Sequence, residues 1–166
     1  WDGELAQAIN FVWWADDGDN VLEEGEQILS DGIETLFNLG TNHLFSIALA
    51  DAANNVWDVS GPMHANQMPY YIGKAWCFGT MTLAPVAAGQ GQNPSVNPGV
   101  TCNGTSIGNG TQTDEATLDI QFRSVQARHN ANFLCNPPTE PDTTVTIIKV
   151  VNGDNPPDLA STFQMK

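Results

Sequence analysis

Six carboxylates fall within the eleven residues Asp16 to Glu26, directly after the apolar run Ile9 to Trp14. Carboxylate oxygens are hard ligands, and at this density they suit a divalent cation such as calcium. With Glu26 as the last position of a twelve-residue calcium loop, Asp17, Asp19, Glu23 and Glu26 occupy positions three, five, nine and twelve, and the Val21 carbonyl occupies position seven. Those are the alternating positions from which a curled backbone aims oxygens at one centre. Position six needs a left-handed turn and is Asn20, the non-glycine type that tolerates it best along with Asp. Position one is Ala15, so a ligand is missing there and Asp16 is its natural substitute. The competing reading is a solvated acidic turn between strands. A helix-flanked EF-hand does not fit, because Ile9-Asn10-Phe11-Val12-Trp13-Trp14 is aromatic and β-branched.

Other chemistry is less well marked. His43, His64 and His129 sit in no HExxH or similar spacing, so zinc-protease chemistry has no support, and His129 reads as a structural or surface residue. There is no GxSxG elbow and no glycine-rich phosphate loop. A carboxylate pair for glycoside hydrolysis is defined only in three dimensions, and nothing in the sequence singles one out. Trp1, Trp13, Trp14, Trp57 and Trp76 offer faces for stacking surface glycans, although aromatics in strands more often fill a core. Asn103-Gly104-Thr105 and Asn109-Gly110-Thr111 are glycosylation sequons, with Asn103 and Asn109 as acceptors.

Cys77, Cys102 and Cys135 lack metal-type CxxC spacing. Three pairings are open, with free buried thiols as the alternative. Cys77 with Cys102 is favoured because both border the long Gly/Asn/Pro loop that a crosslink would tie down. Cys135 then needs a partner from outside this segment.

The elements that must position these residues are mostly strands. Leu5 to Trp14 reads as a half-buried strand with Leu5, Ile9, Phe11 and Trp13 on its apolar face. Ile28 to Leu39 mixes apolar and turn residues and commits to neither state, whereas Leu44 to Ala53 fits a short helix or a strand, its alanines favouring helix. Tyr70 to Phe78 and Thr80 to Val86 read as strands, with Gly79 marking a bulge or close approach. Ala87 to Gln112 reads as surface loop. Ala116, Leu118, Ile120 and Phe122 alternate with Thr117, Asp119, Gln121 and Arg123, after which the apolar phase shifts to Val125 and Ala127. That shift predicts a strand with a β-bulge near Ser124. Asn136 to Asp142 reads as a stiff Pro-rich linker, and Thr143 to Val151 as a strong strand. Residues 143 to 166 cannot bury a core alone and are expected to open another domain or to dock elsewhere.

The chain has 166 residues, enough for one sandwich-sized domain plus an appendage. With 5 basic against 19 acidic residues its formal charge is −14, which argues against nucleic acid or an anionic membrane as partner. Few Lys and Arg with many Asn, Thr, Gly and Pro is a composition typical of exported β proteins. No stretch nears the roughly twenty apolar residues that span a bilayer, so membrane insertion is not expected. The sequence starts at Trp1 with no export signal, so either processing removed one or an N-terminal stretch lies outside this sequence.

One set of motifs occurs in a distinctive order: Trp13-Trp14-Ala15-Asp16-Asp17-Gly18-Asp19-Asn20, Tyr71-Ile72-Gly73-Lys74-Ala75-Trp76-Cys77-Phe78-Gly79, Cys102-Asn103-Gly104, Gln112-Thr113-Asp114, then Val125-Gln126-Ala127-Arg128-His129-Asn130 and Asn132-Phe133-Leu134-Cys135. Over residues 4 to 135 the chain resembles the TasA and camelysin family of secreted surface proteins, whose export signals are cut by the SipW-type peptidase. The resemblance implies an all-β, jelly-roll-type sandwich over residues 1 to 136 and an extracellular location at the cell surface or in a biofilm matrix. It also implies a non-enzymatic subunit that polymerises with itself into matrix or pilus-like fibres by strand donation, although camelysin relatives carry a protease label. The tail Val145 to Val151 is similar to the first strand of prealbumin-like adhesin modules. Family members carry further strands, and commonly another cysteine, ahead of the run found here at Gly3 to Gln7. A sandwich without them has an open edge and a groove to be filled by another chain. Thr143 to Val151 is the expected donor, with Val145, Ile147, Ile148 and Val150 as its apolar side chains. The alternatives are a monomeric cell-surface adhesin or carbohydrate-binding module, and a camelysin-like metalloprotease.

Overall fold

The computed structural model describes residues 4–41, 46–57, 61–64 and 69–135. The chain divides into two units, Trp1–Cys135 and Asn136–Lys166, and the described residues all belong to the first. The expected linker and the donor strand with Val145, Ile147, Ile148 and Val150 lie outside the described residues.

The described elements are mostly antiparallel strands, an all-β class with short helical turns. Helix α1 (Glu4–Ala8) feeds strand β1 (Ile9–Asp16), followed by β2 (Glu34–Thr35), α2 (Leu36–Thr41), β3 (Tyr71–Phe78), β4 (Thr80–Leu83) and β5 (Val100–Asn103). A three-stranded sheet has the order β2-β1-β3, and a two-stranded sheet joins β4 to β5. The strand expected from Leu5 onward therefore starts at Ile9. Glu4-Leu5-Ala6-Gln7-Ala8 is made of strong helix formers, and strand begins where β-branched and aromatic residues take over.

β1 and β3 pair along their whole length, with Phe11 opposite Trp76 and Trp14 opposite Gly73. The face turned to the core is the opposite of the expected one. Val12 and Trp14 are fully buried, whereas Phe11 and Trp13 lie half-exposed and stack at 5.3 Å between ring centroids. Both parities of this strand are apolar, so alternation alone does not decide the face. Burying this face leaves its polar residues satisfied: Asn10 Nδ2 donates to the Gly79 carbonyl at 2.6 Å, and Asp16 accepts from Trp14 Nε1 at 2.9 Å. Trp14, Val12, Leu22, Cys77 and Met81 form the core cluster, flanked by Ile28, Ile33, Ala75, Leu83 and Val100.

Gly79, with φ of 133°, carries the chain from β3 into β4 while its backbone packs against the Asn103 carbonyl. That is the close approach its place between two strands suggests. Inside the expected surface loop 87–112, β5 pairs with β4, setting Met81 opposite Cys102.

Two further expectations differ from the structure. Residues 46–53 contain no helix. There the buried Asp51 accepts from the Ala53 and Asn54 N–H groups at 2.8 and 2.9 Å, diverting donors that a helix would need. Ala116 to Val125 forms no strand, and so no β-bulge at Ser124. From Asp114 to Ala127 the chain runs without turn, bend or ladder, and it is exposed throughout. The alternation is real, but no strand among the described residues lies alongside it.

Candidate functional site: the acidic loop after the first strand

β1 delivers Asp16 at its buried end, and the chain then turns sharply. Gly18 (φ 124°) and Asn20 (φ 58°) both lie in the left-handed region, as the sequence suggests for Asn20. Asp16 organises this turn. Its Oδ1 takes the Trp14 indole N–H, and its Oδ2 accepts from the Gly18 and Asn20 backbone N–H groups at 2.9 and 3.1 Å. Asp19 Oδ1 accepts from the Val21 N–H at 2.8 Å. Val21 and Leu22 are buried and pin the loop to the core. Leu22 donates to the Pro98 carbonyl and accepts from the Val86 N–H, so the far loops hold the acidic one in place. The returning arm runs back along β1, with the Leu29 N–H bonding to Trp13 O at 2.9 Å.

Asp16, Asp17 and Asp19 each place a carboxylate oxygen within 4.8 Å of the others. Asp17 and Asp19 belong to the expected calcium set, and Asp16 supplies the acid that Ala15 does not. Glu23 and Glu26, also of that set, accept backbone hydrogen bonds. Glu23 is buried and accepts from the backbone N–H groups of Gly89, at 2.6 Å, and Gly91. Glu26 accepts from the Asp17 and Glu23 N–H groups at 3.1 and 2.8 Å, closing the loop on itself. Val21 contributes a hydrogen-bonded N–H and a buried side chain.

The electrostatics follow from crowding. Desolvation pushes the Glu26 carboxyl up to about 7; the charges of Asp16 and Asp17 add to the shift, and its backbone hydrogen bonds oppose it. Desolvation and the neighbouring Asp19 also raise the Asp17 carboxyl. Three carboxylates at this spacing could hold a divalent cation. The Asp16–Asp17–Asp19 core was legible in the sequence as a run of acids. The Glu23 clamp was not, because its partners are the loop glycines Gly89 and Gly91.

Cys77 and Cys102 are disulfide-bonded, joining β3 to β5 with a Cα–Cα distance of 5.5 Å. A disulfide of this kind belongs to oxidising compartments. Cys135 is an exposed free thiol, pushed up by desolvation and by the Asp51 charge. Its backbone N–H donates to Asp51 Oδ2 at 3.0 Å, tying the end of this unit to the loop at residue 51. Asn103 and Asn109 are both exposed; Asn103 Oδ1 accepts from the Thr105 N–H and hydroxyl. His64 and His129 are exposed, and His43 and Trp1 lie outside the described residues. Among the tryptophans, Trp14 is core, Trp57 packs on Tyr70 at 5.0 Å, and Trp76 is 63% exposed.

No helix among the described residues is long and apolar enough to cross a membrane. No family model, no curated protein and no solved structure matches the chain.

Proposed function

We propose that this chain is a non-enzymatic, extracellular structural subunit that assembles with copies of itself into a surface or biofilm-matrix filament. The fold would be an incomplete jelly-roll sandwich, completed by a strand donated from a neighbour. The observation that carries this reading is the segment Ala116 to Val125, a strand by sequence that lies exposed and without a ladder partner among the described residues. The described sheets are small, with three and two strands, and strands in such sheets gain stability by adding partners. The disulfide and the resemblance to TasA and camelysin proteins point the same way. Calcium bound at Asp16, Asp17 and Asp19 would stiffen the loop that anchors β1.

Deleting residues 143 to 166 tests the donor assignment. Loss of filaments by electron microscopy is expected, and filaments unchanged by the deletion reject it. A second reading, a glycan-binding module, draws on Trp76 standing exposed opposite Phe11. It predicts that the chain stays monomeric and that Trp76→Ala abolishes its binding to a polysaccharide array.

A further inference from the structure

The backbone of Ala116 to Val125 is open on both sides. Among the described residues, no hydrogen bond reaches any N–H or carbonyl of this stretch; the nearest are Asp114 N–H to Thr111 and the Asn130 contacts to Gln126 and Ala127. Leu118, Ile120, Phe122 and Val125 are 40, 56, 71 and 54% exposed. The edge strand β3 is not a ready acceptor for it. The Lys74 N–H is taken by Asn20 Oδ1 at 2.9 Å, and the Tyr71 carbonyl by Trp57 Nε1 at 2.7 Å.

We propose that Ala116 to Val125 pairs antiparallel with the same segment of a second copy, across a two-fold axis through Gln121. Charge selects the partner and the register. A chain of net charge −14 repels its own copies unless positive groups are set against acids, and both arginines of the sequence, Arg123 and Arg128, lie in or just after this segment. With Gln121 opposite itself, Asp119 faces Arg123 and Asp114 faces Arg128, each pair occurring twice by symmetry. Ile120 then faces Phe122 on the apolar side. Sliding by one residue puts apolar opposite polar side chains. Sliding by a further two-residue step leaves Asp119 facing Gln121 or Val125, and parallel pairing sets Asp119 beside Asp119 and Arg123 beside Arg123. This register sets Arg123 against an acid in both copies. A two-stranded ribbon is marginal alone, so this contact works at the local concentrations of an assembly. It gives the assembly reading above a second, isologous interface, and the two fail separately: the donor strand is tested by filament loss, this contact by the pairing geometry.

The experiment uses the full chain with Cys135→Ser, so that only an introduced thiol is free. Oxidising the Gln121→Cys protein should give a disulfide-linked dimer, whereas Thr117→Cys, which faces Val125, should give little. In the Gln121→Cys background, Asp119→Arg alone or Arg123→Asp alone should reduce dimer yield about tenfold, and the double swap should restore it. These positions are exposed, so circular dichroism should be unchanged. Equal crosslinking at residues 117 and 121, or insensitivity to the charge swaps, overturns the proposal whether or not filaments form.

Discussion

The Glu23 carboxylate accepts from the Gly89 N–H at 2.6 Å, across 66 residues of sequence. With the Gly91 N–H on its other oxygen, it fastens the acidic loop to the long loop between β4 and β5. Glu23 is buried while Gly89 is exposed and Gly91 partly buried, so its loss removes two charge-assisted hydrogen bonds. Glu23→Ala should cost about 2–3 kcal/mol in urea unfolding. Glu24→Ala, exposed one residue later, should cost about 0.5 kcal/mol or less. Equal effects would show that the clamp does not operate in solution.

Calcium should raise the unfolding temperature, with a gain of about 2.7 kcal/mol at a hundred times the dissociation constant. The double variant Asp17→Asn/Asp19→Asn should lose that response, and Glu24→Gln should keep it. Identical melting curves in calcium and in chelator would remove the metal from the account.

Gly73 lies opposite Trp14, and a β-carbon there would run into the indole ring. Gly73→Ala should destabilise by about 1–3 kcal/mol. In a Trp14→Leu background the same substitution should cost markedly less, because the obstructing ring is gone. Additive effects in that cycle would contradict the stacking of the indole over the glycine.

Backbone hydrogen bonds from Cys135, Ala53 and Asn54 hold the Asp51 carboxyl below its usual value of 3.8. A group whose folded pKa is depressed stabilises the fold above its unfolded pKa, and that contribution disappears as pH falls through the folded value. Asp51→Asn should therefore lower stability at neutral pH and flatten the acid limb below about pH 4. An acid limb as steep as the parent's would assign it to other carboxylates.

Much of the loop chemistry was visible in the residues themselves. Acids at close spacing, Asn20 where a left-handed residue is needed, and two cysteines bordering a Gly/Pro-rich loop are signals readable from the residues, and for Asn20 local sterics enforce the turn. The helix at Glu4–Ala8 was equally local, in its strong helix formers, yet the apolar spacing of Leu5 and Ile9 masked it.

What the sequence by itself determined is the type of the elements: strand at β1 and β3, a disulfide-tied loop, and an acidic turn rich in oxygen ligands. Only the tertiary structure decided which face of β1 goes inward, because Ile9 to Trp14 is apolar on both parities and the choice fell to packing of Val12 and Trp14 with Leu22, Cys77 and Met81. It also decided which acids stay together and which turn to backbone, since the donors for Glu23 lie far along the chain. Ala116 to Val125 marks the boundary between the two. Alternation specifies a strand, but a strand exists only when another backbone lies beside it, and that requirement is set by packing rather than by the segment's own residues.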